Sequence, residues 1–258
     1  MRVLITGAAG VIGTILRERL AGRYELSGID RTRIKGFDSA TVDLVEPGRR
    51  GERVFHQVDV VVDLAGISDW DASWDAVHKN NLPVTVNVLE AARKSGVRRI
   101  VYASSNHVTG LYERDDPYSR ILRGDVGGLD PPTIPLITAR HQIRPDSPYA
   151  IGKAFGEAAA RYYAERHALS AICLRIGTCN ASGRPQKARH LATLLTHDDL
   201  VRLVVAAIEA PDDLRFGVFY GVSANTFRFW DISDAREAIG YQPQDDAEVW
   251  RASLSAPE

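Results

Sequence analysis

The sequence predicts an α/β fold: a doubly wound parallel sheet with a small C-terminal substrate-binding lobe. Three observations carry this. Short apolar runs alternate with helix-period segments. A glycine-rich turn follows the first apolar run directly. The last third repeats the alternation on a smaller scale.

Arg2 to Thr6 reads as a short buried strand and Gly7 to Gly13 as a turn that runs into a helix over Val11 to Leu20. Tyr24 to Ile29 forms a second strand, ended by Asp30, and Val58 to Leu64 a strongly apolar one. Residues 70–95 read as helix, bent near Pro83, where the ring removes a backbone donor. Arg99 to Ala103 is a strand, Tyr149 to His167 a helix and Ser170 to Ile176 the next strand. Strands alternating with helices imply a parallel sheet covered on both faces. Residues 111–148 are rich in proline and glycine and long for a plain connection. A lid, a substrate loop or an oligomer contact would each account for them. A helix over 198–210, a strand over Phe216 to Tyr220 and a short helix near 231–239 complete the chain. The expected division is a nucleotide-binding core over 1–175, containing the 111–148 insertion. A substrate lobe follows, mainly 176–258 and interleaved with the core.

The chain has 258 residues, enough for one large domain, and a formal net charge of −1. That balance gives no general electrostatic reason to expect nucleic acid or an anionic membrane as partner. Cys173 and Cys179 have no zinc-like set of partners, and two free thiols suit a reducing compartment. His190 and His197 lack a clear acidic third ligand, so no metal is expected. No apolar run reaches the length of a membrane span, and the N-terminus shows no secretory pattern, so the expected location is cytoplasmic. The tryptophans at 70, 74, 230 and 250 are expected in the core or an interface. Self-association through the sheet-covering helices is expected.

Gly7-Ala8-Ala9-Gly10-Val11-Ile12-Gly13 carries the first chemistry. Gly7 permits a tight turn. Gly10 allows close approach at the helix start, where free N–H groups can face a pyrophosphate, and Ala9, Val11 and Ile12 are expected beside the cofactor. Gly13 allows close helix–strand packing. A glycine triplet alone is weak, but this one follows a strand and opens a helix, the context a Rossmann-type dinucleotide site requires. Asp30 can accept the adenosine ribose hydroxyls and repel the extra phosphate of NADP, which favours NAD. Arg31 and Arg33 can serve either as solvated surface residues or as partners of that phosphate. Asp43 and Leu44 are placed to face the adenine, and Leu64, Ala65, Gly66 and Ile176 to line the cofactor at strand ends.

Tyr149-Ala150-Ile151-Gly152-Lys153 is the second signal. Residues four apart share a helix face, so the Lys153 ammonium can stabilise a Tyr149 phenolate and hydrogen-bond the nicotinamide ribose. Tyrosine titrates near 10, so a tyrosine base needs that help. Ser105, just past a strand, can hold the substrate oxygen while Tyr149 takes the proton. An exposed aromatic and a solvated lysine would show the same spacing; the glycine turn and Ser104-Ser105 argue for chemistry.

With these motifs the chain resembles the extended short-chain dehydrogenase/reductase family, whose members are NAD-dependent epimerase/dehydratase-like. The resemblance covers nearly the whole chain. Within it, Gly66-Ile67-Ser68, Ala103-Ser104-Ser105-Asn106-His107, Arg175-Ile176-Gly177-Thr178-Cys179, Thr196-His197-Asp198-Asp199 and Gly221-Val222-Ser223-Ala224-Asn225 resemble the uronate dehydrogenases. That group implies NAD-dependent oxidation of the anomeric carbon of a hexuronic acid to an aldarolactone. The implied substrate residues are Ser68, Ser105, Asn106, Tyr149, Thr178 and Arg189, with Thr178 standing where the group usually has serine. Arg189 would recognise the acid, since a guanidinium forks onto a carboxylate; taken alone it reads as a surface arginine. His107 is expected either to touch the substrate or to orient its loop.

The connection between His107 and Tyr149 is longer than in typical uronate dehydrogenases. It is similar to that of archaeal NAD-dependent glucose-6-phosphate dehydrogenases. Arg120, Arg123, Arg140, His141 and Arg144 would then meet a phosphate, or form a solvated loop face. A sugar epimerase would use the same tyrosine and lysine, but the short final third leaves little room for a nucleotide sugar. A non-catalytic NAD(H) sensor would not need the Ser105, Tyr149 and Lys153 set.

Overall fold

The computed structural model describes residues 1–254. The chain enters through β1 (Arg2–Thr6), turns through its glycines into α1 (Val11–Arg19) and returns as β2 (Glu25–Asp30). β3 (Ser39–Thr41) and α2 (Gly48–Arg53) lead to β4 (Val60–Asp63), on the other side of β1. α3 (Trp74–Ala76) and α4 (Leu82–Lys94) precede β5 (Arg99–Ser105). A 3-10 segment over Asn106–Arg114, α5 (Tyr118–Leu122) and a short turn at Pro131–Thr133 lead to α6 (Pro148–Arg166) and β6 (Ser170–Ile176). α7 (Ala188–Thr193), α8 (His197–Ile208), β7 (Phe216–Gly221), α9 (Ser233–Ile239) and α10 (Arg251–Leu254) follow.

All strand pairs are parallel, in the order β3-β2-β1-β4-β5-β6-β7. The period-two alternation of strand side chains splits the core into two layers. Val3, Ile5, Val60, Val62, Ile172 and Leu174 face one side, where Ile15 and Leu16 of α1 and Leu200, Leu203 and Val204 of α8 cover them. Leu4, Val61, Ile100, Ala171 and Cys173 face the other, under Val84, Val88 and Leu89 of α4 and Ala160 and Tyr163 of α6. Each fully buried aliphatic side chain contributes about 1.5–3 kcal/mol, so burial on both faces holds the sheet. β7 and α8 extend this same sheet and core beyond residue 175. A third cluster joins Tyr118, Ile121, Ile134 and Ile137 to Tyr220, Phe229, Trp230 and Ile232, so the 111–148 segment packs with the C-terminal third.

The expected bend near Pro83 takes a specific form. Between α3 and α4, residues Val77–Asn81 widen into a π-helical turn, and Leu82 N–H bonds the Val77 carbonyl. Proline's missing donor makes such a detour cheap. The detour has a consequence for the cleft. Asn81 Oδ1 accepts from Ile67 N–H at 2.9 Å and its amide donates to the Ile67 carbonyl at 3.0 Å, fixing the loop after β4. Tyr149 lies in the first turn of α6, where Pro148 begins the helix and Ser147 caps it by accepting from Ala150 N–H at 3.2 Å. Strand order reverses between β1 and β4, and a cleft opens there at the carboxyl ends of the strands.

Candidate active site

The cleft has a volume of about 880 Å³, and it is lined by the three turn glycines, Asp30, Asp43, the Ser105, Tyr149 and Lys153 set and every substrate residue that the uronate dehydrogenase resemblance implies. At one end the walls are backbone. Gly7 has φ +63°, and a Cβ on it would stand 2.8 Å from the Leu64 carbonyl oxygen. A Cβ on Gly13 would stand 2.6 Å from the Gly7 oxygen, so α1 lies as close to the turn as a bare glycine allows. The α1 N-cap, Gly10, makes no side-chain cap, and no acid stands in the first turn. The helix therefore presents unsatisfied N–H groups to the cleft. Asp30 Oδ2 accepts from Ala9 N–H at 2.9 Å and Oδ1 from Thr32 N–H at 2.8 Å, which aims the carboxylate beside the turn. Asp43 Oδ1 accepts from Val45 N–H at 2.9 Å, and Asn87 of α4 donates to the carbonyls of Leu44 and Val45, both at 2.9 Å. Arg31 lines the cleft; Arg33 lines a separate pocket with Lys35 and Arg50. This end fits a dinucleotide: a bare glycine cradle, an uncapped helix start and a carboxylate at the end of β2.

At the centre, Ser105, Tyr149 and Lys153 converge and all three are buried. Ser105 ends β5, with its Oγ accepting from His107 N–H at 3.2 Å. Burial pushes the Tyr149 phenol up from its usual value, a hydrogen bond with Ser105 pulls it down, and the Asp146 carboxylate pushes it further up. Lys153 donates to the Ala103 carbonyl at 2.7 Å, with its ammonium 5.8 Å from the Tyr149 ring centre. Burial pulls Lys153 down to about 8, against the nearby Asp63 carboxylate. Asp63 ends β4; its Oδ1 accepts from Thr6 Oγ1 at 2.5 Å, and its Oδ2 is buried without a hydrogen-bond partner. Burial pushes Asp63 up, while Thr6, Lys153 and Ala65 N–H favour its anion. Glu157 on α6 anchors the helix to the sheet, accepting from Ser104 at 2.6 Å and forking onto Arg175 at 2.8 Å twice.

The far end is made of side chains. Arg189 of α7 donates from Nε and Nη2 to Glu113 at 2.8 and 2.6 Å, and from Nη1 to Thr178 Oγ1 at 3.1 Å. Asn106, with its amide oriented to satisfy both neighbours, donates to the Ile176 carbonyl at 3.0 Å and accepts from Arg189 Nη2 at 2.9 Å. Arg189 is thus a paired cleft residue and not a surface arginine. His107 Nδ1 lies 2.6 Å from Asp146 Oδ2, and its ring stacks on Trp70 at 6.2 Å. The expectation of a core or interface place for the tryptophans holds for the buried Trp230, whereas the exposed Trp70 lines the cleft. Ser68 lies exposed on the loop that Asn81 fixes. Burial and the cations of Lys187 and Arg189 hold the cleft-lining His190 down at about 4, so it is neutral.

The basic residues of the long connection do not line the cleft. Arg120 bonds Asp125, Arg144 pairs with Asp115, and His141 bonds Thr138. From 111–148 the cleft receives only Glu113 and Asp146, both acids. Glu113, Asp63, Asn81, Trp70 and Lys187 are cleft or supporting residues that the sequence reading missed. No short motif marks them, and each acts through a partner distant in the chain. Among the described residues, no group of three or more His, Cys, Asp or Glu side chains is placed to hold a metal, and no helix is long and apolar enough to cross a membrane.

A glycine cradle and an uncapped helix beside a buried tyrosine–lysine–serine cluster define an NAD-using oxidoreductase. The model of the NAD dependent epimerase/dehydratase family matches residues 3–198, and the chain belongs to that family. The chain is 33% identical to uronate dehydrogenase of Pseudomonas putida, over 99% of this chain and 88% of that protein. It is 34% identical to L-arabinose 1-dehydrogenase (NAD(P)(+)) of Haloferax volcanii, over 95% and 97%. A mutant of uronate dehydrogenase from Agrobacterium tumefaciens complexed with NAD superposes with a TM-score of 0.81, at 30% identity, covering 100% of this chain and 90% of that one.

Proposed function

We propose that the protein is an NAD-dependent aldose 1-dehydrogenase that oxidises the anomeric carbon of a cyclic sugar to a lactone. The observation that carries this is the convergence of Ser105, Tyr149 and Lys153 between a dinucleotide cradle and a polar pocket. Bound NAD supplies the acceptor for the hydride leaving C1. Ser105 holds the C1 hydroxyl, Lys153 stabilises Tyr149 as a phenolate, and that phenolate takes the hydroxyl proton and becomes a neutral phenol as the hydride leaves. Gly7 through Gly13 seat the pyrophosphate, and Asp30 takes the ribose hydroxyls. The relatives named uronate dehydrogenase support a sugar acid as substrate, and a hexuronic acid oxidised to its aldarolactone is the leading reaction. Ser68, Thr178 and Arg189 then contact the sugar, with His107 orienting the wall beside Tyr149.

One observation favours a second reading, a neutral aldose. The guanidinium that would take the acid is already forked onto Glu113. A phosphorylated aldose has weaker support, because the basic residues of the long connection lie outside the cleft. The test is NADH formation from NAD with glucuronate, galacturonate, arabinose, glucose and glucose 6-phosphate side by side. Turnover of aldoses with lactone as product is expected. Silence on all five, with NADH still bound, would overturn the reading.

A further inference from the structure

At the sugar end of the cleft a protein carboxylate already holds the arginine that an acidic substrate would need. Glu113 follows β5 and Arg189 lies on α7, 76 positions apart in the chain. Their side chains are only 15% and 19% exposed. An arginine has five N–H donors in a fixed fork. Here Nε and one Nη2 hydrogen go to Glu113 and the other Nη2 hydrogen to Asn106. The Nη1 hydrogens face Thr178 Oγ1 at 3.1 Å and Thr193 Oγ1 at 3.5 Å. No donor is left for an incoming anion. A carboxylate that binds Arg189 must first displace Glu113, or else share the cation with a like charge nearby. A neutral sugar makes no such demand, because its hydroxyls can donate to the remaining lone pairs of Glu113 and bond Thr178.

The two substrates named for the relatives differ at this end of a sugar ring: a hexuronate carries a carboxylate on C5, and the pyranose form of arabinose carries nothing there. We infer that Glu113 is a specificity-determining residue: it competes with an acidic sugar for Arg189 and so lowers the pocket's preference for hexuronates over neutral aldoses. This rests on the aldose dehydrogenase reading. Glu113 acts through Arg189 and takes no part in the proton transfer.

The test compares wild type with Glu113→Gln, which keeps the shape and removes the charge, and with Glu113→Ala, which removes both. The ratio of kcat/KM on glucuronate to that on arabinose is expected to rise about tenfold or more in both variants, as expected for releasing one charge-assisted pair. The change should reside in the KM for glucuronate. Cooperative melting and NADH binding establish that the variants are folded. A ratio that stays the same or falls in both overturns the inference. If Lys187→Ala then abolishes glucuronate use, acid recognition belongs to the cleft rim. Should wild type turn over no aldose at all, the dehydrogenase reading fails separately. Calorimetric titration of glucuronate into the NADH complex then decides: variants binding about tenfold tighter than wild type support competition, and equal or weaker binding overturns it.

Discussion

The two ends of the cleft are built on opposite plans. The dinucleotide end is made of backbone: three glycines within seven residues, an uncapped helix start and one carboxylate held by two N–H groups. The N–H groups of its helix start carry no side-chain cap. The sugar end is made of side chains from β5, the segment after it and α7, already bonded to one another. Its donors are spent. Binding at the first end adds hydrogen bonds, whereas binding an anion at the second exchanges them. Affinity for cofactor should therefore follow local backbone geometry, and choice of sugar should follow the balance of an ion pair.

The centre lies between these ends, and removing its proton acceptor should have the largest effect. Tyr149→Phe is expected to lower kcat about 10³–10⁴-fold, near the upper range for general acid–base catalysis. The dissociation constant for NADH should stay near wild type, because the glycine cradle is untouched. Stopped-flow turnover and fluorescence titration check the two parts. Near-native turnover would remove Tyr149 from the reaction.

The backbone plan is tested at Gly13. A Cβ there would meet the Gly7 oxygen at 2.6 Å and Ala8 backbone atoms at 2.8 Å, none of which can rotate away. Gly13→Ala should push α1 off the turn and weaken NADH binding roughly 100-fold, the scale for a misplacement of about 1 Å. At Gly10 the closest atom is the Gly7 oxygen at 3.3 Å, so Gly10→Ala should cost less. Equal losses in the two variants would contradict the close-packing account.

The same contrast decides what the sequence makes legible. Gly7 to Gly13 is contiguous, so turn, helix start and close approach can be read from seven letters. Tyr149 and Lys153 share a helix face, so their pairing is legible as well. The alternation of strands and helices likewise announced the sheet, although the three-residue β3 and the short α7 are too brief for periodicity. Arg189 reads as part of a polar surface run because nothing near it in sequence shows that Glu113 faces it. Asn81 is equally silent, since its role depends on a π-helical turn that the sequence marks only as a bend before Pro83. Long-range pairs are set by tertiary packing, which single-chain patterns do not encode.

Arg189→Ala probes the side-chain plan by leaving Glu113 largely buried without its cation. The KM for glucuronate should rise about tenfold, and stability should fall by about 1–3 kcal/mol, the cost of an orphaned polar group. Replacing both residues by alanine should restore part of that stability, since the uncompensated carboxylate is gone. Urea melts of the two single variants and the double variant measure the coupling. A double variant destabilised by the sum of the two single losses would show that the pair does not couple.

The smallest effect is expected beneath the lysine. Lys153 is held at about 8 because burial strips water from its ammonium, and the Asp63 carboxylate is the charge that opposes this. Asp63→Asn keeps an acceptor for the Thr6 hydroxyl while removing the charge. Lys153 is cationic below its pKa and neutral above it, so losing Asp63 lowers that pKa and discharges the lysine at a lower pH. The cation that stabilises a Tyr149 phenolate is then lost earlier on the alkaline side. The fall of kcat/KM on that side should begin at lower pH, with the rate at pH 7 within about tenfold of wild type. An alkaline limb that does not move would mean that Asp63 is already neutral in the folded protein, consistent with the burial that pushes it up. The charge supporting Lys153 would then have to come from the bound ligands.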